Sequence, residues 1–174
     1  MRRNAPDRLV LVEIMGTGKS HWARRLARKL RWAYRDCDRL VERAERRSVA
    51  RIFSEDGESY FRKAESAALR RALEPRRVVV ATGGGAVLKK QNRDLMRSSG
   101  LVLWLRAGPG RVWARVRGDP SRPLLDVPNP RAEIRRLLKK RNPLYRACAD
   151  ETVRTGAAAA KRFDGILKRH GLLS

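Results

Sequence analysis

Apolar residues fall at two spacings along the chain. "RLVLVEI" (8–14) is a short run rich in β-branched residues. "KSHWARRLARKL" (19–30) sets Trp22, Leu26 and Leu30 four apart among charged positions. The spacing predicts a strand, a glycine-bearing loop and a helix. "RWAYRDCD" (31–38) reads as a further short strand. "DRLVERAERR", "SVARIF" and "GESYFRKAESAALRRAL" then read as helical up to Pro75. "RRVVVATGGG" (76–85) and "GLVLWLRAG" (100–108) are continuous apolar runs ending at glycine, each followed by a helical segment, as fully buried parallel strands are. The tail carries an edge strand, "ETVRT" (151–155), and a helix over "AAAAKRFDGILKRH" (157–170). Strands alternating with helices predict an α/β fold of three layers: a parallel sheet with helices on both faces and ligands at the carboxyl ends of the strands.

At 174 residues the chain is expected to form a single domain over 1–174. Hydrophobic residues make up 42% of it, enough for a core, and no apolar run is long enough to cross a bilayer. "MRRNAPDR" has no apolar segment behind it, so it is not a secretory signal and a cytoplasmic protein is expected. Cys37 and Cys148 suit neither a disulfide framework nor a metal pair and are read as free thiols. The net charge of +24 raises the question of a polyanionic partner. Arginines outnumber lysines 33 to 9 and run along the whole chain without a basic stripe interleaved with aromatics, so nucleic acid is not the expected partner.

The loop after the first strand is nearly a Walker A motif. Gly18, Lys19 and Ser20 fill its last three positions, but Glu13 stands where the first glycine belongs. Backbone N–H groups of such a turn, and the positive end of the following helix, bind phosphate oxygens. Lys19 then reaches the outer phosphates, and Ser20 offers its hydroxyl to Mg²⁺. "DCD" closes the second strand and, on an extended chain, sets Asp36 and Asp38 on one side. One could serve a metal and the other accept a proton; taken alone the pair would more often be a helix cap, with Asp38 capping the segment after it, and its place after a strand, one unit beyond the loop, favours the functional reading. Between Gly110 and Pro130, "GRVWARVRGDPSRPLLDVPNP" loses regular pattern after Arg117 and predicts a mobile surface segment.

The succession "MGTGKS", "DCD", "IFSEDGESYFRKAE", "VVVATGGG", "SRPLL" and "KKRNPLY" resembles the shikimate kinases, in the family's order and over nearly the whole chain. The resemblance implies a nucleoside monophosphate kinase-like P-loop kinase fold. It also implies ATP with Mg²⁺, and phosphoryl transfer to the 3-hydroxyl of shikimate in aromatic amino acid biosynthesis. By position it makes Gly16, Thr17, Gly18, Lys19, Ser20 and His21 the nucleotide loop, and sets Asp36 beside the metal with Ser20. Asp38 becomes the residue that binds the shikimate hydroxyls and the candidate base. Arg62 and Arg141 become the arginines that grip its carboxylate, with Glu65 orienting Arg62. Gly83, Gly84 and Gly85 approach the ring, which Phe53 and Phe61 face. Arg122 becomes the lid arginine over the transferring phosphate, and Arg115 and Arg154 flank the adenine. The shikimate-binding segment is expected at about 36–75, the lid at about 112–128, and the enzyme as a monomer.

Glu13 and His21 depart from the family's loop. A carboxylate about 4 Å from a phosphate charge costs roughly 1 kcal/mol in water and about 4 kcal/mol at an effective dielectric of 20. Glu13 is therefore expected to turn away, to find a basic partner, or to weaken ATP, with one of the many arginines as partner. Two rival readings stay open: a degenerate shikimate kinase-like protein that binds without turnover, and an Arg-rich nucleic-acid-binding protein on a P-loop scaffold.

Overall fold

The computed structural model of the chain describes residues 5–119 and 122–173. β1 (Arg8–Glu13) leads through the loop into α1 (Lys19–Leu30), and β2 (Ala33–Asp36) leads directly into α2 (Cys37–Glu45). α3 (Val49–Leu73) follows, then β3 (Val78–Ala81), α4 (Lys90–Ser99), β4 (Leu101–Arg106) and α5 (Pro109–Val116). α6 (Pro130–Cys148), β5 (Glu151–Arg154) and α7 (Ala159–Arg169) complete the described elements.

The strands form one sheet in the order β2-β3-β1-β4-β5, all of its pairings parallel. β1 is central, paired with β3 from Arg8↔Val78 and with β4 up to Glu13↔Leu105. Period two splits its side chains between the layers. Val10, Val12 and Ile14 join one core with Leu69, Met96, Trp104 and Tyr145. Leu9 and Leu11 join the other, with Ala23, Leu26 and Phe163 of α1 and α7. The three-layer α/β fold expected from the sequence is the fold observed. Cys37 and Cys148 are free and buried.

Three local outcomes differ from the sequence reading. Asp36 and Asp38 do not share an extended chain: β2 ends at Asp36, and Asp38 lies in the first turn of α2. The cap is Asp36, whose Oδ1 accepts from the Asp38 backbone N–H at 3.1 Å. α6 had no counterpart among the elements read from periodicity, because its exposed face is densely charged and Pro143 interrupts it. Its start is nonetheless marked by Asn129, which accepts from the Ala132 N–H, and by Pro130 in the first turn. The tail helix begins at Ala159, two residues inside the alanine run.

Gly57 breaks α3 with φ 80° and ψ 174°, a conformation essentially reserved for glycine, and a Cβ there would meet nothing within 4 Å. Val41, Ile52, Phe61 and Ala68 pack α2 and both arms of α3 into a small separate core.

α6 is tied to the sheet by Tyr145, whose ring stacks on Trp104 at 5.9 Å. Its buried hydroxyl lies 2.8 Å from the Glu13 carbonyl and 2.6 Å from the Gly84 carbonyl, joining the loops after β1 and β3. Tyr145→Phe keeps the ring and removes the one hydroxyl proton that these two carbonyls share. It should lower the unfolding free energy by about 1–3 kcal/mol. Urea denaturation should read this as a lower midpoint with an unchanged slope.

Candidate functional site

The loop between β1 and α1 stays open because of its glycines. Gly16 (φ 79°) and Gly18 (φ 92°) are left-handed, and a Cβ on Gly16 would fall 2.6 Å from Val116 Cγ1. Gly18 is the N-cap of α1 and supplies no side chain to cap it, so the N–H groups that follow that of Lys19, which Glu13 engages, remain available to an anion. Thr17 Oγ1 is buried without a hydrogen-bond partner. Ser20 donates to Asp36 Oδ2 at 3.0 Å, and Tyr34, which the sequence reading did not single out, donates to the same oxygen at 2.8 Å. Among the described residues no group of three or more His, Cys, Asp or Glu converges on a metal position. The Ser20–Asp36 pair fits a Mg²⁺ ion that takes its remaining ligands from water and phosphate oxygens.

Glu13 ends β1 on the side of the sheet that Leu9 and Leu11 face, and this carries it beneath the start of α1. Its side chain is buried, with Oε1 3.7 Å from Lys19 Nζ and Oε2 without a partner. The expected basic partner exists, but it is the loop's own lysine rather than a surface arginine. Burial pushes the Glu13 carboxyl up to about 7, against the opposing pull of Lys19, the Lys19 backbone N–H, Arg122 and Arg115. Burial alone would pull Lys19 down; Glu13, Asp38 and Asp36 together hold it above its ordinary value.

The second half of the site is built from α2, α3, α6 and the turn after β3. Arg62 is gripped by two carboxylates: Nη1 donates to Glu65 Oε2 at 2.8 Å, and Nη2 and Nε donate to Glu58 Oε1 at 2.9 and 3.1 Å. Its guanidinium carbon lies 5.2 Å from the ring centre of Phe61 and 5.9 Å from that of Phe53. Arg141, on α6, is 3% exposed and its Nε has no partner. A buried guanidinium with an idle donor suits an anionic ligand. Burial pushes Asp38 above its ordinary range; Lys19 counters this and Asp36 adds to it. The glycine triplet is required by space: a Cβ on Gly83 would fall 2.1 Å from Glu65 Oε1, and one on Gly85 2.0 Å from Arg62 Nη1.

A cavity of about 380 Å³ joins the two halves. Of the residues expected from the sequence, Gly16, Gly18, Lys19, Ser20, His21, Asp38, Arg62, Gly84, Gly85, Arg115, Arg122 and Arg141 line it, together with Glu65, Phe53 and Phe61. Asp36 stands behind Ser20, and Gly83 behind Glu65 and Asp38. Arg115 Nη1 donates to the Gly16 carbonyl at 3.3 Å, and Arg122 pairs with Asp119 at 2.9 Å. Thr17, buried in the loop, does not line the cavity, and neither does Arg154, which ends the edge strand β5, exposed. Of the expected lid, residues 120 and 121 lie outside the described residues, and Pro123–Leu125 form a 3-10 turn. Glu58 and Tyr145 were missed. Glu58 gave a signal, standing four residues before Arg62 at the spacing of a helical ion pair.

The family model described as "Shikimate kinase" matches residues 15–170. The chain is 42% identical to a shikimate kinase of Cereibacter sphaeroides over 155 residues, covering 89% of this chain and 77% of that one. It is 40% identical to a shikimate kinase of Neisseria gonorrhoeae over 167 residues, covering 96% and 98% of the two chains. Its fold superposes with a TM-score of 0.89 on a shikimate kinase of Acinetobacter baumannii solved in complex with shikimate, at 37% identity and 94% coverage of each chain.

The buried Glu13 carboxyl makes stability depend on pH in a definite direction. Its pKa is raised from 4.5 to about 7 on folding, so its contribution is complete below 4.5 and is lost as pH rises through 7. Against Glu13→Gln, the protein should lose up to about 3 kcal/mol of relative stability across that window and change little above it. Denaturant titration of both forms at a series of pH values measures the difference. A difference that stays constant with pH would refute the raised ionisation.

Proposed function

The chain belongs to the shikimate kinase family, and we propose that its cavity transfers the γ-phosphoryl group of ATP to the 3-hydroxyl of shikimate. One observation carries the reading. A single cavity is lined by the phosphate-loop residues Gly16, Gly18, Lys19 and Ser20, and also by Asp38, Arg62 and Arg141, which suit a hydroxylated carboxylic acid.

In this reading Arg62 and Arg141 hold the acceptor carboxylate. Arg62 is already fixed by Glu58 and Glu65, so its guanidinium is oriented before the ligand arrives. Phe53 and Phe61 offer apolar contact to the ring, and the glycine turn lets the ring approach the backbone. Asp38 accepts hydrogen bonds from the acceptor hydroxyls. As the hydroxyl oxygen attacks phosphorus, Asp38 takes its proton while the bond to the leaving phosphate of ADP breaks. Lys19 and Arg122 offset charge growing on the transferring oxygens. Mg²⁺, when bound with the nucleotide, neutralises phosphate charge, and Ser20 and Asp36 are the residues that would hold it. No covalent enzyme intermediate is needed. Every residue named comes from one chain, which supports a monomeric enzyme, and we assign its action to the cytoplasm.

The decisive experiment is a coupled ADP-release assay with ATP, Mg²⁺ and shikimate. Shikimate-dependent turnover is expected; nucleotide and shikimate binding without turnover would favour the degenerate alternative. Asp38→Asn keeps the shape and one acceptor oxygen, and should lower kcat by roughly two or more orders of magnitude. Full turnover in that variant would reduce Asp38 to a residue of the helix start.

The carboxylate clamp makes a separate prediction. Arg141→Ala should raise the shikimate KM by about tenfold or more, because a charged hydrogen bond contributes about 1.5–3 kcal/mol, and leave the ATP KM within about twofold. Gly85→Ala should act in the same direction through Arg62, into which its Cβ would project. Steady-state kinetics with each substrate varied in turn measures both. An unchanged shikimate KM in the two variants would remove the clamp.

A further inference from the structure

Glu13 takes no part in the mechanism above, yet it engages the residue on which nucleotide binding depends. Its carboxylate draws on both donors of Lys19. Oε1 faces Nζ at 3.7 Å, and the Lys19 backbone N–H contributes a hydrogen bond to the same group. A phosphate seated in this loop needs those two donors as well. The remaining oxygen, Oε2, is buried without a partner. Lys19 and Glu13 are only 8% and 4% exposed, so an ionised carboxylate here is poorly screened from an arriving phosphate.

The charges around Glu13 come from several elements. Lys19 stands on α1, Arg115 on α5 and Arg122 in the segment after it, and all three favour its ionised form. Asp36 and Asp38 share the attraction of Lys19. From α6, Tyr145 holds the Glu13 carbonyl; burial above all pushes that phenol up, Arg141 pulls it down, and Glu13 and Glu65 add to the rise. In the absence of nucleotide this balance leaves the carboxyl titrating near 7, within reach of either state.

We propose that Glu13 is an internal counter-anion of Lys19 that is neutralised by a proton from solvent when a nucleotide phosphate enters the loop, and ionises again when the nucleotide leaves. The protonated acid has an O–H to donate, so its idle oxygen can face a phosphate oxygen as a partner instead of a rival. No other bond forms or breaks, and the proton is exchanged with the buffer. The inference rests on the nucleotide-binding part of the proposed function. It makes Glu13 a positioning residue, acting through Lys19.

The test is calorimetric titration of the protein with Mg·ADP at pH 8, in buffers of differing ionisation enthalpy. The nucleotide phosphates are already ionised at that pH, so any proton taken up enters the protein. About one proton should be taken up per nucleotide bound, and the Kd should rise several-fold from pH 7.5 to 8.5. Glu13→Gln and Glu13→Gly should both abolish the uptake and the slope. Glu13→Gln should bind Mg·ADP more tightly than the parent at pH 8 and converge with it near pH 6. His21→Asn removes the other titratable side chain at the loop and should leave the uptake in place. Mg·ADP binding without proton uptake, or equal uptake in the two Glu13 variants, would overturn this inference alone. A parent protein that binds no nucleotide at any pH would overturn the kinase reading and this inference with it.

Discussion

Burying the Lys19 ammonium is the constraint on which the site depends. An isolated buried cation is too costly to survive folding, so counter-charges have to be supplied by elements fixed independently of it. Glu13 comes from the end of the central strand, Asp36 from the end of β2, and Asp38 from the first turn of α2. None of these can shift without disturbing a strand end or a helix start. Asp36 in particular is held by Ser20, Tyr34 and the Asp38 backbone N–H at once. The phosphate loop is therefore set by its electrostatic surroundings as much as by its glycines.

The sheet order produces these surroundings. With β1 between β3 and β4, the turn after β3 lies against the end of β1, and Tyr145 reaches both from α6. β2 at one edge hands Asp36 and Asp38 toward the same point while α2 and α3 fold back over the gap. Five charged side chains, Glu13, Lys19, Arg62, Glu65 and Arg141, are buried where these elements meet. Arginines away from this point pair with surface acids or reach solvent, as Arg47 and Arg136 do. The site is thus set apart from the basic surface by burial rather than by composition.

Most of the layered fold was legible because the three inner strands, β1, β3 and β4, are continuous buried apolar runs, whereas the edge strands β2 and β5 were short and half-exposed. Motif order carried most of the site residues, and Glu13 announced itself by occupying a glycine's position. Three things were hidden for physical reasons. The Glu13–Lys19 contact depends on the parity of a strand and the direction of the next helix, which no local spacing records. α6 carries its apolar stripe among many charges and a proline, so its period is blurred. The role of Tyr145 arises from packing between elements far apart in sequence, across 132 residues to Glu13.

The break at Gly57 divides α3 into two arms of different character. The arm before it carries Ile52 and Phe53, while the longer rod after it carries Arg62 and Glu65 and packs Leu69 and Ala72 into the main core. A side chain at Gly57 would touch nothing, so the joint is held by the glycine's torsion together with the packing between the arms, Phe53 lying 4.7 Å from Phe61 across it. The wall of the cavity therefore spans the joint: Phe53 stands on the short arm, Phe61 and Arg62 on the rod anchored to the sheet. A change of angle at one residue would reset the spacing of the two rings while leaving Arg62 paired with Glu58 and Glu65 on its own arm.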